Sequence, residues 1–358
     1  MNLSKANVNI GFLTRVSSKD KAIVARQLAT MLSSGLDIAQ AFKILASQTS
    51  NSFLRTTFSG VVVDLEQGNT LSYALSSHPK VFDPVFIAIV RSGESSGKLD
   101  TVLEQLATRL EQSDDFNSKI KSALYYPIFV VALMIVIVIL MLIYVIPQLS
   151  QVFKDNDFPM PWTTKLIITL SSFTVNYWWL IVIIIALLTI FLFLFLRTKR
   201  GGSTWDGLKL KLPLISGLYQ ILYMARFCRT MAMMLSSGIP IMESIAITAD
   251  VVQNRIYTRS LKAAAMQVER GIPLSVPLKK DKKFPPIVSE MIMVGEQTGK
   301  MNMTLEKLAQ YYEKETESKV ANISSLIEPI LIVLMGIGVG FLAFSIIWPI
   351  YSFAQKGF

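Results

Sequence analysis

The chain has 358 residues, 52% of them hydrophobic and 17% charged, with a mean hydropathy of +0.47 and a formal charge of +10. An average soluble domain carries about 25% charged residues, so this composition argues against an ordinary soluble enzyme and excludes a disordered or collagen-like chain. A single cysteine (Cys228) leaves no intrachain disulfide and no Cys-based zinc site, and a single histidine (His78) leaves no HExxH motif or His-rich metal site.

Residues 1–19 read as a short lead. The first 20 residues contain Lys5, Arg15, Lys19 and Asp20 and no apolar core of signal-peptide length, so no signal peptide is expected. Residues 20–123 have helical periodicity throughout. Ile23, Leu28, Met31 and Leu32 mark an amphipathic helix that Gly35 closes in the left-handed conformation. Asp37 suits the N-cap of a helix from Ile38 to about Gln48. A third helix spans roughly Phe53 to Gln67 and stops at Gly68, and Asp83-Pro84 opens another that ends at Gly93. The last helix begins at Leu99 and points into the first apolar window.

That window, residues 124–146, has no charged residue, and a bilayer span needs about 20 apolar residues. A loop at 147–176 follows, then a second uncharged window at 177–196. Residues 197–325 return to helical, polar sequence, with Pro240 and Pro285-Pro286 placed at helix starts. The third span, 326–350, has Glu328 near its start as its only ionisable residue, and 351–358 form a tail.

The chain repeats itself at a spacing of about 203 residues. Met31-Leu-Ser-Ser-Gly35 recurs as Met234-Leu-Ser-Ser-Gly238, Arg26 matches Arg229, and Glu66-Gln-Gly68 matches Glu269-Arg-Gly271. At a spacing of 202, Gly93-Glu-Ser-Ser-Gly-Lys98 recurs as Gly295-Glu-Gln-Thr-Gly-Lys300, Pro127 matches Pro329, and Pro147 matches Pro349. Each unit is a polar domain followed by an apolar helix. The middle window has no counterpart, and its geometric job is to return the chain so that both domains lie on one side of the membrane.

Lys and Arg set the side. Residues 1–123 hold 13 and 197–325 hold 19, against two in 147–176 and one in the tail. The positive-inside rule places both domains and the N-terminus in the cytoplasm, with the loop and the C-terminus outside. Trp178, Trp179, Trp348 and Tyr351 suit the outer interface. The fold expected is an all-α integral membrane protein with two homologous cytoplasmic helical-bundle domains and three transmembrane helices.

The duplicated Gly-Glu-x-x-Gly-Lys turn is the most motif-like feature. It is not a phosphate loop: that pattern needs four residues between the glycines and Ser or Thr after the Lys, whereas three residues and then Leu99 or Met301 stand here. It reads as a helix–turn–helix corner. Gly93 and Gly295 end a helix, Gly97 and Gly299 let backbones approach, and Glu94 and Glu296 cap exposed amides or pair with an Arg. The same corner is also a candidate face for a partner or a divalent ion, together with Arg26 and Arg229.

His78 lies in a polar loop, Cys228 in an apolar stretch that suits a core thiol, and the 16 methionines read as helix-packing residues. The basic run Lys279, Lys280, Lys282 and Lys283 suits a solvated loop or anionic lipid headgroups, and without aromatic interleaving it does not point to nucleic acid. Glu328 either reaches the cytoplasmic interface from the start of its span or marks a membrane site; its counterpart is Tyr126. Asp155 and Asp157, beside Lys154, leave calcium binding open but offer few ligands for it. No catalytic constellation is present, so no enzyme and no cofactor are expected. A small transporter or channel subunit is the alternative, but it would need polar residues lining the spans.

Around the first span stand Lys119-Ile120, Ala123-Leu124, Tyr126-Pro127, Val130, Met141 and Val145-Ile146-Pro147, with Lys119, Tyr126, Pro127, Glu328 and Pro329 as candidate membrane-interface positions. With the duplicated domain, the three spans and the Gly-Glu turn, this pattern resembles the type II secretion F / type IV pilus platform family (GspF/PilC-like) over residues 20 to 352. The short lead is similar to that of its compact type IVb or thin-pilus members. The resemblance implies a non-enzymatic platform in the bacterial inner membrane whose six-helix bundles dimerise and engage a hexameric ATPase. Its spans would gather pilin or pseudopilin subunits for the growing fibre. The partners it implies are that ATPase, pilin, other inner-membrane assembly proteins, further copies of the chain and membrane lipid.

Overall fold

A computed structural model describes residues 16–148, 151, 162–212 and 215–356. Most of the lead, the Asp155/Asp157 loop and the last two residues lie outside them. Among the described residues there is no strand.

The first repeat builds α1 (Ser18–Ser33), α2 (Ile38–Gln48), α3 (Ser52–Glu66), α4 (Leu71–Ser76), α5 (Pro84–Ser96) and the start of α6 (Leu99–Leu140). Short polar side chains punctuate it. Ser17 and Asp20 form a reciprocal capping box on α1, Asp37 accepts from the N–H groups of Ala39 and Gln40, and Asp83 accepts from Phe86 N–H. Gly35 and Gly68 take φ of +83° and +86°, which reverses the chain after α1 and α3.

The second repeat copies this plan as α9 (Ser216–Ser236), α10 (Ile241–Val251), α11 (Arg255–Val268), α12 (Ser275–Lys280), α13 (Pro286–Thr298) and the start of α14 (Met301–Lys356). Pro240 sits one residue earlier than a first-turn position, as an extended N-cap residue.

Each repeat closes around its own apolar cluster. Phe42, Phe58, Phe82 and Phe86 are buried in the first, and Phe227, Tyr257 and Phe284 in the second. Full burial of one such side chain contributes roughly 1.5–3 kcal/mol. Tyr257 packs edge-on to Phe284 and donates its hydroxyl to Lys283 C=O at 3.0 Å, which satisfies the one polar atom that this burial would strand. Cys228 is fully buried, and burial pushes its thiol pKa up.

The corner departs from the sequence expectation. Helix α5 does not end at Gly93 but runs to Ser96, and Gly97 takes the left-handed conformation at φ +65°; Gly299 does the same after α13 at φ +68°. Gly93 and Gly295 are instead the close-approach positions. A Cβ on Gly93 would lie 3.2 Å from Leu99 Cα, and one on Gly295 would lie 2.9 Å from Met301 Cα. The helix end is set by where the next helix must turn back, so the roles of the two glycines are exchanged. The short helices α4 and α12 also lie outside the expected set.

The chain divides into two compact units. One comprises the residues up to Lys119 together with Asp206–Glu317, and the other comprises Ile120–Trp205 and Ser318–Phe358. Among the described residues, three helical stretches are long and apolar enough to cross a membrane: Leu99–Gln148, Lys165–Arg197 and Met301–Phe341. The middle one belongs to α7 (Trp162–Arg197), which kinks at Tyr177, the first residue of the expected span. Residues 162–176, expected as loop, are therefore already helical. A short helix, α8 (Lys199–Lys209), follows.

Candidate functional site

The duplicated glutamates turn inward. The Glu94 carboxylate accepts from the N–H groups of Leu71 and Ser72 (3.1 Å for the latter), the first two residues at the start of α4. Glu296 repeats this on Leu274 and Ser275 N–H, at 2.5 and 3.3 Å, and also accepts from Ser275 Oγ at 2.5 Å. A helix start presents unpaired N–H groups and a partial positive charge, and a carboxylate satisfies both. Gly93 and Gly97 fix the turn that brings Glu94 there, as Gly295 and Gly299 do for Glu296.

Arg26 and Arg229 occupy equivalent clamps. Arg26 binds Glu111 bidentately through Nε and Nη2 at 2.8 and 2.7 Å, contacts Glu104, and donates to Thr108 Oγ1 at 3.0 Å. Arg229 binds Glu313 bidentately at 2.7 and 2.5 Å and Glu306 at 2.8 Å. The hydrogen bonds that it donates to Glu111 and Glu104 hold the Arg26 guanidinium well above its ordinary pKa, and accepting from Arg26 draws Glu111 down. Burial opposes charge on Arg229 and Glu306, but in each the ionic hydrogen bonds win, so Arg229 is raised and Glu306 lowered. The four glutamates were not singled out from the sequence. The signal existed: Glu104 and Glu306, like Glu111 and Glu313, stand 202 residues apart, as the corners do.

The two repeats meet within their shared unit. Ser92 Oγ donates to Ser237 C=O at 2.6 Å, Arg91 approaches Glu243 at 3.8 Å, Arg109 pairs with Glu306 at 2.7 Å, and Lys119 pairs with Glu317 at 3.0 Å. Lys119, expected at the membrane interface, is thus also a partner of the other repeat. The Glu317 carboxylate holds its ammonium pKa above the ordinary value. Glu306 joins Arg229 of its own repeat to Arg109 of the other.

In the apolar unit, Tyr126 and Glu328, equivalent in the repeat, line one cavity of about 120 Å³ with Pro127, Val130, Ser324 and Leu331. Pro127 does not sit near a first turn. It lies deep in α6, where a proline removes the N–H that would bond the C=O four residues earlier. That C=O belongs to Ala123, and Ser324 Oγ donates to it at 2.9 Å. A second repair follows. The π-helical turn Met141–Val145 interrupts the α-helical ladder, and Ser171 Oγ donates to Leu142 C=O at 2.5 Å. Such repairs are what an apolar surrounding requires of a broken helical ladder. Pro329 lies within α14, outside the cavity. Among the described residues, no group of three His, Cys, Asp or Glu could hold a metal ion.

The family model described as type II secretion system (T2SS), protein F, matches residues 24–147 and again 227–349. The chain is 36% identical to the type IV pilus assembly protein PilC of Thermus thermophilus, over 97% of this chain and 86% of that protein. It is 32% identical to the type IV pilus assembly protein TapC of Aeromonas hydrophila, over 94% and 82%. It is likewise 32% identical to the type II secretion system protein F of Pseudomonas aeruginosa, over 96% and 85%.

Proposed function

Because the chain belongs to the type II secretion system protein F family, we propose that it is the inner-membrane platform of a type IV pilus or type II secretion assembly machine. In this reading it couples a cytoplasmic hexameric ATPase to the insertion of pilin into a growing fibre. It performs no catalysis itself. The observation that carries the reading is the tandem match, 24–147 and 227–349, with each copy a helical bundle whose last helix continues into apolar sequence.

The physical logic is one of access. A motor in the cytoplasm moves a membrane-bound subunit only through a protein exposed to both compartments. The Lys and Arg excess of 1–123 and 197–325 supports a topology with both bundles on the motor's side and the C-terminus in the periplasm. The bundles then offer the ATPase two related faces, and the spans meet pilin, lipid and other assembly proteins. Further copies of the chain complete the platform.

The corner residues Gly93, Glu94, Gly97, Gly295, Glu296 and Gly299 enter this reading through the loop shape they fix, and Arg26 and Arg229 through the clamps. Crosslinking in membranes, followed by identification of the cytoplasmic partner, tests the whole. Recovery of a hexameric ATPase, and loss of surface fibres on deletion, are the expected results. Reporter fusions that put the stretch near Lys262 outside the cell would overturn the topology. Replacing Glu94 and Glu296 together should weaken motor binding and leave membrane insertion intact; unchanged binding removes them from the contact.

A further inference from the structure

The contact between the two repeats is one-directional. Met233, Met234 and Ile239 of the second repeat belong to the buried cluster of the first, whereas the second repeat's own cluster, among the described residues, takes no side chain from the first. Helix α5 and the start of α6 of the first repeat provide one face, with Arg91, Ser92 and Arg109. Helix α9 and the start of α10 of the second repeat provide the other, with Ser237 and Glu243, while Glu306 on α14 receives Arg109. Two sister domains packed through different faces leave, among the described residues, one unused face each, and the unused faces are homologous to the two that meet.

The residues on those free faces follow from the repeat. Arg91, Ser92 and Arg109 correspond at a spacing of 202 to Met293, Val294 and Tyr311. Three positions that are polar where the face is occupied are apolar or aromatic where it is not, and Val294 and Tyr311 are 44% and 49% exposed. On the other side, Met234 belongs to the first repeat's buried cluster, Ser237 is bound by Ser92, and both are buried with Thr230, whereas their counterparts Gln27, Met31 and Ser34, on α1 and at its C-terminal end, are exposed or half-buried. Charge is removed from both partners of one contact together. The ion pair Arg91–Glu243 corresponds to Met293 and Gln40, so repeating the contact there would strand no ion.

We infer that a second copy of this chain docks on the free face of the second repeat. The α1 face of one copy, around Gln27, Met31 and Ser34, covers Met293, Val294 and Tyr311 of the next, reproducing between molecules the contact already made within one. Such a contact is heterologous: each copy gives one face and receives another, so the assembly is a ring where the rotation closes and an open array where it does not. This deepens the oligomer part of the reading above and rests on it. Its failure would leave the platform role standing, because that role is tested by motor crosslinking and fibre loss.

The test is site-directed crosslinking of the full-length chain in membranes, where the single native cysteine, Cys228, is buried. One tagged copy carries Val294→Cys and a differently tagged copy carries Ser34→Cys, the counterparts of Ser92 and Ser237. A short bismaleimide should join the two tags in the mixed sample and join nothing in either variant alone. The double variant in one chain should give a ladder. Ser92→Cys with Ser237→Cys, crosslinked within one chain, is the control for folding and reactivity. With that control positive, the absence of a mixed product overturns the inference, and so does self-crosslinking of either single variant, which would indicate a face-to-face dimer. As an independent readout, Val294→Glu with Tyr311→Glu should abolish chemically crosslinked oligomers without loss of helical circular dichroism. Oligomers that persist in this variant count against the interface.

Discussion

Ser324 donates its hydroxyl to the Ala123 carbonyl, the acceptor that Pro127 leaves without a helical N–H. The two residues are 201 positions apart in the chain, and the bond joins the equivalent helices of the two repeats in the apolar unit. A proline in the first repeat's helix is thus made tolerable by a serine in the second's. Ser324→Ala should cost about 1–3 kcal/mol, the penalty of an unsatisfied carbonyl away from water. Pro127→Ala supplies the missing N–H and should make the serine dispensable. Thermal unfolding in detergent of the two single variants and the double reads the coupling. Additive losses would show that the bond carries nothing.

The two arginine clamps should differ in weight. The Arg229 side chain is 12% exposed and that of Arg26 is 33% exposed. Arg229→Ala leaves Glu313 charged and unpaired in a sheltered place and Glu306 with Arg109 alone, and should cost about 3 kcal/mol. Arg26→Ala, with its glutamates more open to water, should cost about 1 kcal/mol. Urea unfolding of the full-length variants measures both. Equal losses would contradict the difference in burial.

Glu306 gives acid sensitivity to the junction of the repeats. Its folded pKa is lowered from its ordinary 4.5, because the bonds to Arg109 and Arg229 outweigh burial. A carboxylate held low in the folded state contributes stability that is fully present above its ordinary value. That stability is lost as pH falls from 4.5 through the folded pKa. Glu111, held low by Arg26, acts in the same direction. Glu306→Gln should therefore be less stable at neutral pH and lose less on acidification than the parent chain. Parallel acid-denaturation curves would refute this.

The corner glycines should separate by mechanism. At Gly295 an added methyl meets the Met301 backbone at 2.9 Å, so Gly295→Ala must push α13 and α14 apart. At Gly97 space is open and only the φ of +65° resists a side chain, so Gly97→Ala should cost about 1 kcal/mol. Gly93→Ala, at 3.2 Å from Leu99 Cα, should fall between them. Thermal shifts of the three variants give the order; Gly97→Ala as the most damaging would reverse it.

The glutamate caps bind distant segments to the corner. Glu94→Ala strips α4 of its two N–H acceptors, and Glu296→Ala also frees the Ser275 hydroxyl. Each should cost about 1–2 kcal/mol, with Glu296 the larger. Hydrogen exchange at Leu71, Ser72, Leu274 and Ser275 should accelerate in the matching variant. Unchanged protection would remove the caps.

The sequence by itself determined whatever depends on near neighbours. Asp37 and Asp83 cap helices within three residues of themselves, Gly35 and Gly68 reverse the chain, and the uncharged windows become long apolar helices. Each of these needs only local sterics, one short hydrogen bond or a run of composition. The internal match was legible as well, since it is written in spacing alone. The tertiary structure decided the rest: that Gly97 and not Gly93 ends α5, that Glu94 faces α4, that Arg26 reaches Glu111, and that the sister domains meet through unlike faces. Those contacts join residues 22 to about 200 positions apart. No local rule selects among the many partners that such distances allow. Packing selects them: the arrangement formed buries both apolar clusters and leaves each arginine within reach of its glutamates.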